Sequence, residues 1–308
     1  MLKQPQDVRI LVIGSVNMDL VFRVARLPRP GETLTGQSLA QLPGGKGANQ
    51  AVAAARLGAQ VSMIGRVGDD ELGTALLGHL RNDSVETEAV CVTSATSSGV
   101  AIIGVEDSGQ NCITVIPGAN GRLTPDDVER SSSLFAETDV VLLQLEVPLP
   151  AVARAVELAR QHHVTVMLDP APAVEQLPPE LLRADVLCPN ETEASLLTGI
   201  EVHDLASAEA AAKKLQSTTG GHVLLTMGGD GVMVVMSDGT CEHVPAVVVD
   251  AVDTTAAGDA FAGAVGVFLA MGGSVVEAAR FGCRAGALAA SRPGAQPAMP
   301  TWAEVSGS

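Results

Sequence analysis

Aromatic and basic residues are scarce in this chain of 308 residues, and both shortages exclude a class of partner. There is no Tyr and only one Trp, so the aromatic platforms on which single-stranded nucleic acid stacks are missing. Lys and Arg number 19 against 35 Asp and Glu, which gives a formal net charge of −16. Because binding to nucleic acid depends on neutralising phosphates, we expect no nucleic-acid partner. An anionic ligand would have to be held locally, by backbone N–H groups, a few basic side chains or metal ions.

Paired cysteines and long apolar runs are also absent. The five cysteines have no C-x-x-C spacing, which argues against a zinc site or a disulfide framework. No apolar run approaches the roughly 18 residues of a membrane span, and Ile10–Ile13 is too short for the core of a signal peptide. We therefore expect a cytoplasmic protein with no membrane partner, whose cysteines are small buried hydrophobic residues in a reducing compartment.

Motifs of several common enzyme classes are missing. No G-x-G-x-x-G occurs, so a dinucleotide-binding Rossmann domain has no fingerprint. Gly45-Lys46 does not form a Walker A loop, because Ala40 replaces the upstream glycine and Gly47 replaces the Ser or Thr. There is no G-x-S-x-G, and the six histidines lack a metal spacing such as H-E-x-x-H. A hydrolase would therefore lack its nucleophile or its metal.

Strand-like apolar runs alternate with helical patterns along the whole chain. Val8–Val16 is β-branched and nearly continuous, as expected of a buried parallel strand. The alternation predicts one α/β domain over residues 1–308, with a mainly parallel sheet and helices on both faces. Val232–Met236 and Cys241–Val249 are expected to be antiparallel, because the turn Ser237-Asp238-Gly239 separates them.

Two hairpin patterns interrupt this alternation. The first places strands at Leu20–Val24 and Thr33–Thr35 within residues 19–41, and the second covers residues 98–116. We expect the two hairpins to pair into a small separate β-sheet that acts as a lid and excludes water. The apolar side chains Leu20, Phe22 and Val24 and the open strand edges would need covering, which predicts a homodimer through the lid sheet.

Polar side chains follow the predicted strands where each strand ends. In a doubly wound sheet the carboxyl ends of the strands share one edge, so these side chains are expected to meet there. They are Asn17, Asp19, Glu146, Asp169, Asn190, Glu193, Thr226 and the stretch Asp253–Asp259.

Three of these sites have alternative interpretations. Asn17 and Asp19 could bind a ligand, or could simply form a turn with local Asx hydrogen bonds. Asn190 and Glu193 at a helix start suit a water-rich Mg²⁺ shell, but Asn as N-cap and Glu at N3 also form an ordinary capping arrangement. Thr226–Gly231 could wrap nucleotide phosphates with backbone N–H groups, or could simply be a hairpin turn.

Two stretches of small residues open helices. Pro43–Gln50 would let the backbone approach a ligand while Lys46 and Asn49 donate hydrogen bonds, unless it is only a Gly-rich helix start with a solvated lysine. Asp253–Gly263 leads into a helix whose N–H groups and dipole could hold an anion. Asp259 would lie beside that anion, where a carboxylate can take the proton of an incoming hydroxyl.

With Gly44–Ala51, Asn190–Glu193 and Asp253–Phe261 in this order, the sequence resembles the ribokinase family of carbohydrate kinases. The resemblance covers almost the whole chain and implies a ribokinase-like three-layer sandwich with a β-sheet lid. It implies ATP-dependent phosphorylation of the O5 hydroxyl of D-ribose, with Mg²⁺ and a monovalent cation, K⁺, as activator. A deoxyribose or nucleoside kinase on the same scaffold and a catalytically silent sugar-binding regulator are the alternatives.

The resemblance also assigns roles to individual residues. The expected sugar ligands are Asn17, Asp19, Gly45, Lys46, Asn49, Glu146 and Asp259. Asp259 is the expected base, beside an anion hole made by Ala256, Ala257 and Gly258. The expected ATP site is Asn190, Thr226, Gly228, Gly229, Asp230, Gly231 and Gly258. Glu193 would act on Mg²⁺ through water, and the K⁺ loop would be Asp253, Thr255, Ala289, Arg292 and Gly294.

Three positions depart from the family pattern. Ala256 stands where many relatives have glycine, which is tolerable if its φ is negative. Ala298 stands where a serine can contribute a cation ligand. Cys283 falls where relatives can place His or Asn near the adenine, and we leave it out of the predicted site.

Overall fold

A computed structural model describes residues 2–307 of the chain. Its strands are β1 Arg9–Ile13, β2 Asn17–Val24, β3 Ser38–Gly44, β4 Gln60–Gly68, β5 Val85–Glu86, β6 Val90–Thr93, β7 Gly99–Glu106, β8 Asn111–Ile116, β9 Val140–Leu143, β10 Thr165–Leu168, β11 Val186–Leu187, β12 His222–Thr226, β13 Val232–Val235 and β14 Cys241–Val244.

The α-helices are α1 Lys46–Arg56, α2 Glu71–Asn82, α3 Pro125–Arg130, α4 Leu149–Gln161, α5 Glu191–Thr198, α6 Leu205–Thr219, α7 Ala257–Ala270, α8 Val275–Ala290 and α9 Trp302–Ser306. Short 3₁₀ helices lie at Pro5–Asp7, Gly118–Arg122, Ser132–Glu137, Leu181–Arg183, Gly228–Asp230 and Gln296–Ala298. No helix within residues 2–307 is both long enough and apolar enough to cross a bilayer.

The large sheet has the order β14-β13-β12-β11-β10-β9-β1-β4-β5, with β6 also paired to β4. Its pairings are parallel except at β12-β13 and β13-β14, so the predicted antiparallel edge is confirmed. Side chains of β1 alternate between two cores: Ile10 and Val12 pack with α1, α7 and α8, whereas Leu11 and Ile13 pack with α4 and α6. Because both faces of the strand are buried, the sequence reads as a continuous apolar run. The predicted α/β fold with helices on both faces is confirmed.

A second sheet has the order β3-β2-β7-β8, in which the two predicted hairpins pair through the parallel strands β2 and β7. The expected strand at Thr33–Thr35 is wrong: β3 begins at Ser38 and runs into the loop before α1. The predicted apolar face also differs, because Val24 is buried and Leu20 and Phe22 are half-buried. The exposed apolar side chains of this sheet are instead Leu39, Ile102, Ile113, Val115 and Ile116.

The cysteines differ in part from expectation. All five are free, as the spacing predicts. Only Cys188 is buried, whereas Cys112 on β8 is exposed, so the prediction of five buried hydrophobic residues is wrong.

Candidate active site

The candidate site lies at the carboxyl edge of the large sheet, where α1 and α7 begin. Asp259 sits in the first turn of α7 and is 5% exposed. Its Oδ2 accepts a hydrogen bond from Asn49 Nδ2 at 2.9 Å, and its Oδ1 accepts one from Gln50 Nε2 at 3.2 Å. Two amides on α1 therefore fix the carboxylate that the sequence singles out as a base.

The N-terminus of α7 is open beside this carboxylate. Among residues 2–307, the N–H groups of Gly258 and Asp259 have no hydrogen-bond acceptor, whereas the N–H of Ala257 donates to the Thr254 carbonyl. A Cβ built on Gly258 meets no atom within 4 Å. Unpaired N–H groups at a helix start, facing open space, are suited to hold an anion.

Ala256, the N-cap of α7, has φ 58° and ψ 13°. The condition that its φ be negative is therefore not met. The left-handed region costs an L-residue with a Cβ about 1 kcal/mol or more, which explains why glycine suits this position.

Residues of β2 and the loop before α1 form a second wall of the site. The Asp19 carboxylate lies against Gly44, since a Cβ on that glycine would be 2.2 Å from Asp19 Oδ2. Gly45 has φ +89°, and a Cβ there would be 2.7 Å from the Asn17 nitrogen. Glu146 Oε2 accepts hydrogen bonds from Ser15 Oγ at 2.5 Å and from the Lys46 backbone N–H at 3.1 Å. Glycine is thus required where the two chain segments meet.

Acidic side chains crowd around one lysine at this edge; we call them the carboxylate cluster. The cluster consists of Asp19, Glu146, Asp169, Glu193 and Asp259. Burial alone would lower the pKa of Lys46, but its acidic neighbours raise it above the ordinary value. Within residues 2–307 the Lys46 ammonium makes no ion pair or hydrogen bond, so a charged donor is free to meet a ligand.

Four acids of the cluster, Asp19, Asp169, Glu193 and Asp259, have a raised pKa and hold their protons more tightly than exposed acids do. Burial, together with Glu146 and Asp259, raises the pKa of Asp19 to about 7. Burial also raises the pKa of Asp169 and of Asp259, each to about 6, although Lys46 opposes the rise in both. Asp259 is therefore mostly ionised near neutral pH and close to the range in which a carboxylate is an effective base.

A cavity of about 610 Å³ adjoins the α7 N-terminus on the other side. We call it the open cavity; its polar and glycine lining includes Asn190, Thr226, Gly228, Gly229, Gly231, Thr254 and Gly258. Its apolar lining includes Val247, Val248, Phe261, Cys283, Ala287 and Ala290. The structure thus brings most of the predicted ATP residues together in one cavity. Asp230 does not line it; its carbonyl accepts a hydrogen bond from His243 Nε2 at 2.7 Å.

Asn190 and Glu193 form a capping box at the start of α5, the alternative left open by the sequence. Glu193 Oε2 accepts from the Asn190 backbone N–H at 2.8 Å, and Oε1 accepts from Asn190 Nδ2 at 2.9 Å. Each oxygen keeps a second lone pair that a metal-bound water could use. No group of three His, Cys, Asp or Glu within residues 2–307 is arranged to cage a metal.

The predicted K⁺ loop is held together by one carboxylate. Asp253 accepts hydrogen bonds from the N–H groups of Thr255 and Gly294, both at 2.9 Å. Its own N–H donates to the Ala290 carbonyl, one residue beyond Ala289. The Arg292 guanidinium donates a hydrogen bond of 2.6 Å to the Glu304 carboxylate. The two chain segments named by the prediction therefore meet, and backbone carbonyl oxygens are the groups available to bind a cation.

Sequence reasoning missed four residues of this region. Gln50 and Asp169 share a hydrogen bond of 3.0 Å, although Asp169 was expected only to lie at the edge. Asn120 Nδ2 donates to Asn17 Oδ1 at 2.7 Å, which orients the Asn17 amide. Cys283 lines the open cavity. Partners distant in sequence leave no local pattern, but the position of Cys283 in the family pattern was a usable signal.

Comparison with known proteins supports these observations. The pfkB family of carbohydrate kinases has a sequence model that matches residues 8–302. The chain belongs to this family. As a pfkB-family kinase it is an enzyme that transfers a phosphoryl group to a hydroxyl of its acceptor.

Individual relatives of this pfkB-family kinase match it over nearly their full length. The ribokinase of Haemophilus influenzae is 42% identical and aligns over 96% of each chain. The deoxyribokinase of Salmonella typhi is 38% identical over 95% of each chain. The structure of Arabidopsis thaliana ribokinase complexed with ribose and ATP has a TM-score of 0.89 at 31% identity, covering 97% of this chain and 98% of that one.

Proposed function

We propose that this pfkB-family kinase transfers the γ-phosphoryl group of ATP to the O5 hydroxyl of D-ribose, giving ribose 5-phosphate and ADP. The observation that carries the proposal is the buried carboxylate of Asp259 beside the unpaired N–H groups of Gly258 and Asp259. A base and an anion site share one helix turn, as transfer between a hydroxyl and a phosphoryl group requires. The similarity to ribokinases supports ribose as the acceptor.

The sugar lies, in this proposal, between β2 and α1. Asn17, Asp19, Gly45, Lys46, Asn49 and Glu146 bind its hydroxyls. Asp259 accepts the proton of O5 as that oxygen attacks phosphorus. The half-buried and buried acids accept hydrogen bonds from sugar hydroxyls, while Lys46 and the amides donate. Sheet β3-β2-β7-β8 acts as the lid that excludes water from this region.

ATP occupies the open cavity, with its phosphates toward the α7 N-terminus. Gly228 and Gly231, both at positive φ, let the backbone turn toward the phosphates, Gly229 lines the same cavity, and Asn190 and Thr226 supply polar contacts. The anion hole predicted at Ala256, Ala257 and Gly258 holds the γ-phosphoryl group. Because the Ala257 N–H already donates to the Thr254 carbonyl, the unpaired N–H groups of Gly258 and Asp259 stabilise the charge that develops during transfer. The adenine ring of ATP lies along the apolar wall that contains Val248 and Cys283.

Two metal ions belong to the proposal. Mg²⁺ would be held by the ATP phosphates and by water bound to Glu193, and it would supply positive charge to the phosphates. The lack of a protein cage within residues 2–307 fits an ion bound mainly by phosphate and water. A monovalent cation, K⁺, would be held by carbonyls of the loop that contains Asp253, Thr255, Ala289, Arg292 and Gly294. Ala298 offers it no side-chain oxygen.

In this proposal the protein is cytoplasmic and forms a homodimer, whose two subunits associate through the lid sheet. The exposed apolar side chains Leu39, Ile113 and Val115, of which Leu39 is 67% exposed, support this association. Light scattering at micromolar concentration is expected to give twice the monomer mass, and a monomer would count against the interface.

Phosphorylation assays with a panel of acceptors test the proposed function. ADP release is measured with ribose, 2-deoxyribose, fructose and adenosine, each with and without K⁺. We expect the highest kcat/KM with ribose and activation by K⁺. Strong turnover of another acceptor with ribose inactive would overturn the substrate, and K⁺ independence would overturn the cation site alone.

A further inference from the structure

Gln50 joins two buried carboxylates through one amide nitrogen. Its Nε2 donates to Asp169 Oδ2 at 3.0 Å and to Asp259 Oδ1 at 3.2 Å. Gln50 is 1% exposed, so both hydrogens of its amide are used inside the protein. The proposed function uses Asp259 but gives no role to Gln50 or Asp169.

The orientation of the Gln50 amide is determined from both sides. Gln144 Nε2 donates to Gln50 Oε1 at 2.5 Å, which makes Gln50 the acceptor on that side. A flipped Gln50 would place its oxygen against two carboxylates and lose all three hydrogen bonds. Gly14 leaves the space that Gln144 needs, because a Cβ there would be 2.0 Å from Gln144 Oε1.

Asp169 anchors this bridge from the end of β10. Its carboxylate faces Lys46, Glu193, Glu146 and Cys188, and the nearby backbone N–H of Ala171 favours its ionised form. Asp259 faces Lys46 and Asp169, and also Asp19 and Glu193 from the surrounding elements. Lys46 is thus the common cation of both acids, and Gln50 is their only shared amide within residues 2–307.

We propose that Gln50 and Asp169 are positioning residues for phosphoryl transfer, which hold the Asp259 carboxylate in the orientation that receives the hydroxyl proton. This inference rests on the proposed role of Asp259. Asn49 holds one oxygen of Asp259 and Gln50 holds the other, so the carboxylate cannot rotate. A misplacement of the base by about 1 Å costs roughly 10²-fold in rate, which gives the clamp a catalytic purpose.

The two residues act on the protonation of Asp259 in opposite directions. The negative charge of Asp169 raises the pKa of Asp259, after the larger effects of burial and Lys46, whereas the hydrogen bond from Gln50 lowers it. Removing the charge at Asp169 therefore extends activity to lower pH. Removing the amide at Gln50 raises the pKa of Asp259, so activity at low pH is lost.

Steady-state kinetics of Asp169→Asn and Gln50→Leu from pH 5 to 9 test the proposal. We expect kcat to fall about tenfold or more in Gln50→Leu while the ribose KM stays within about threefold. The ratio of kcat/KM at pH 5.5 to that at pH 8 is expected to rise about twofold in Asp169→Asn and to fall about 2.5-fold in Gln50→Leu, as a shift of about half a pKa unit in each direction from a pKa of about 6 requires. The control is Asp127→Asn, which removes a buried carboxylate paired with Arg66 outside the site and should leave the profile unchanged.

Equal losses at every pH in both variants, or wild-type kinetics in both, would overturn the proposal. If Gln50→Leu does not fold, the near-isosteric Asp169→Asn decides alone, and an unshifted profile refutes the inference. Wild-type inactivity with ribose overturns the substrate instead; the profiles are then measured with whichever acceptor is turned over. A wild-type enzyme that phosphorylates none of the four acceptors overturns both proposals.

Discussion

The carboxylate cluster and the open cavity meet at the N-terminus of α7, but they are built from different groups. The cluster is lined by ionisable and amide side chains that are mostly buried and hydrogen-bonded to one another. The open cavity is lined largely by glycine, alanine and valine, and Val248 at its edge is 96% exposed. In the proposed function the first region selects a sugar and removes a proton, whereas the second holds phosphates through backbone N–H groups. Side-chain substitutions should therefore affect the first region more.

The largest effect is expected at the base itself. Asp259→Asn keeps the shape and removes the proton acceptor, so kcat should fall roughly 10²-fold or more. Ribose Kd should change little, because the other sugar ligands remain. A coupled assay for ADP gives kcat, and isothermal titration gives the Kd. Near-normal turnover would exclude Asp259 as the base.

Glycine substitutions compare the two regions directly. Gly45→Ala puts a Cβ 2.7 Å from the Asn17 nitrogen at φ +89°, and should raise the ribose KM about tenfold or more through displacement of Asn17. Gly229→Ala meets nothing within 4 Å, and should leave the ATP KM within about twofold. Both constants come from initial rates. Equal increases in the ribose KM of Gly45→Ala and the ATP KM of Gly229→Ala would refute the distinction between the two regions.

Burial of the acids predicts how stability depends on pH. The folded pKa values of Asp169 and Asp259, about 6, and of Asp19, about 7, lie above the ordinary 3.8. The folded ligand-free protein therefore keeps protons that the unfolded chain has released between about pH 4 and 7. Its free energy of unfolding should fall as pH rises through this window, by several kcal/mol, since one pKa unit corresponds to about 1.4 kcal/mol.

Asp259→Asn tests this dependence because it removes one of the three acids. The variant should be more stable than wild type at pH 8, by about 1 kcal/mol, and should show a shallower decline from pH 5 to 8. Urea denaturation at several pH values measures both quantities. Asp127→Asn is the contrast: burial raises the pKa of Asp127, but the hydrogen bonds from Arg66 and Thr124 together lower it below the ordinary value, so that variant should be destabilised. A destabilised Asp259→Asn at pH 8 would disagree with the raised pKa.

The smallest effect is expected at the N-cap of α7. Ala256→Gly relieves a left-handed φ of 58° and should stabilise the protein by about 0.5–1 kcal/mol. Ala257→Gly, one residue into the helix, should instead lose up to about 1 kcal/mol. Urea midpoints of the two variants provide the comparison. A lower stability of Ala256→Gly would show that the left-handed conformation of Ala256 does not destabilise the wild-type protein.

The sequence predicts the cavity better than it predicts the cluster. The order of strands and helices along the chain follows from hydrophobic periodicity, and most of the glycine and polar lining of the cavity follows from the resemblance to the ribokinase family. The bridge from Gln50 to Asp169 joins residues more than a hundred positions apart, and no local pattern records it. The start of β3 at Ser38 is set by pairing with β2 rather than by the residues Thr33–Thr35. The sign of φ at Ala256 depends on how the preceding loop enters α7.

The position that becomes phosphorylated tests the central claim most directly. Phosphorus NMR of a reaction with ribose, ATP and Mg²⁺ shows which ribose oxygen carries the new phosphate. We predict that the wild-type protein forms ribose 5-phosphate, with phosphorus coupled to the two protons on C5, and that Asp259→Asn forms almost none in the same time. Phosphate at another position, or equal accumulation in both proteins, would contradict the assignment of O5 as acceptor and Asp259 as its base.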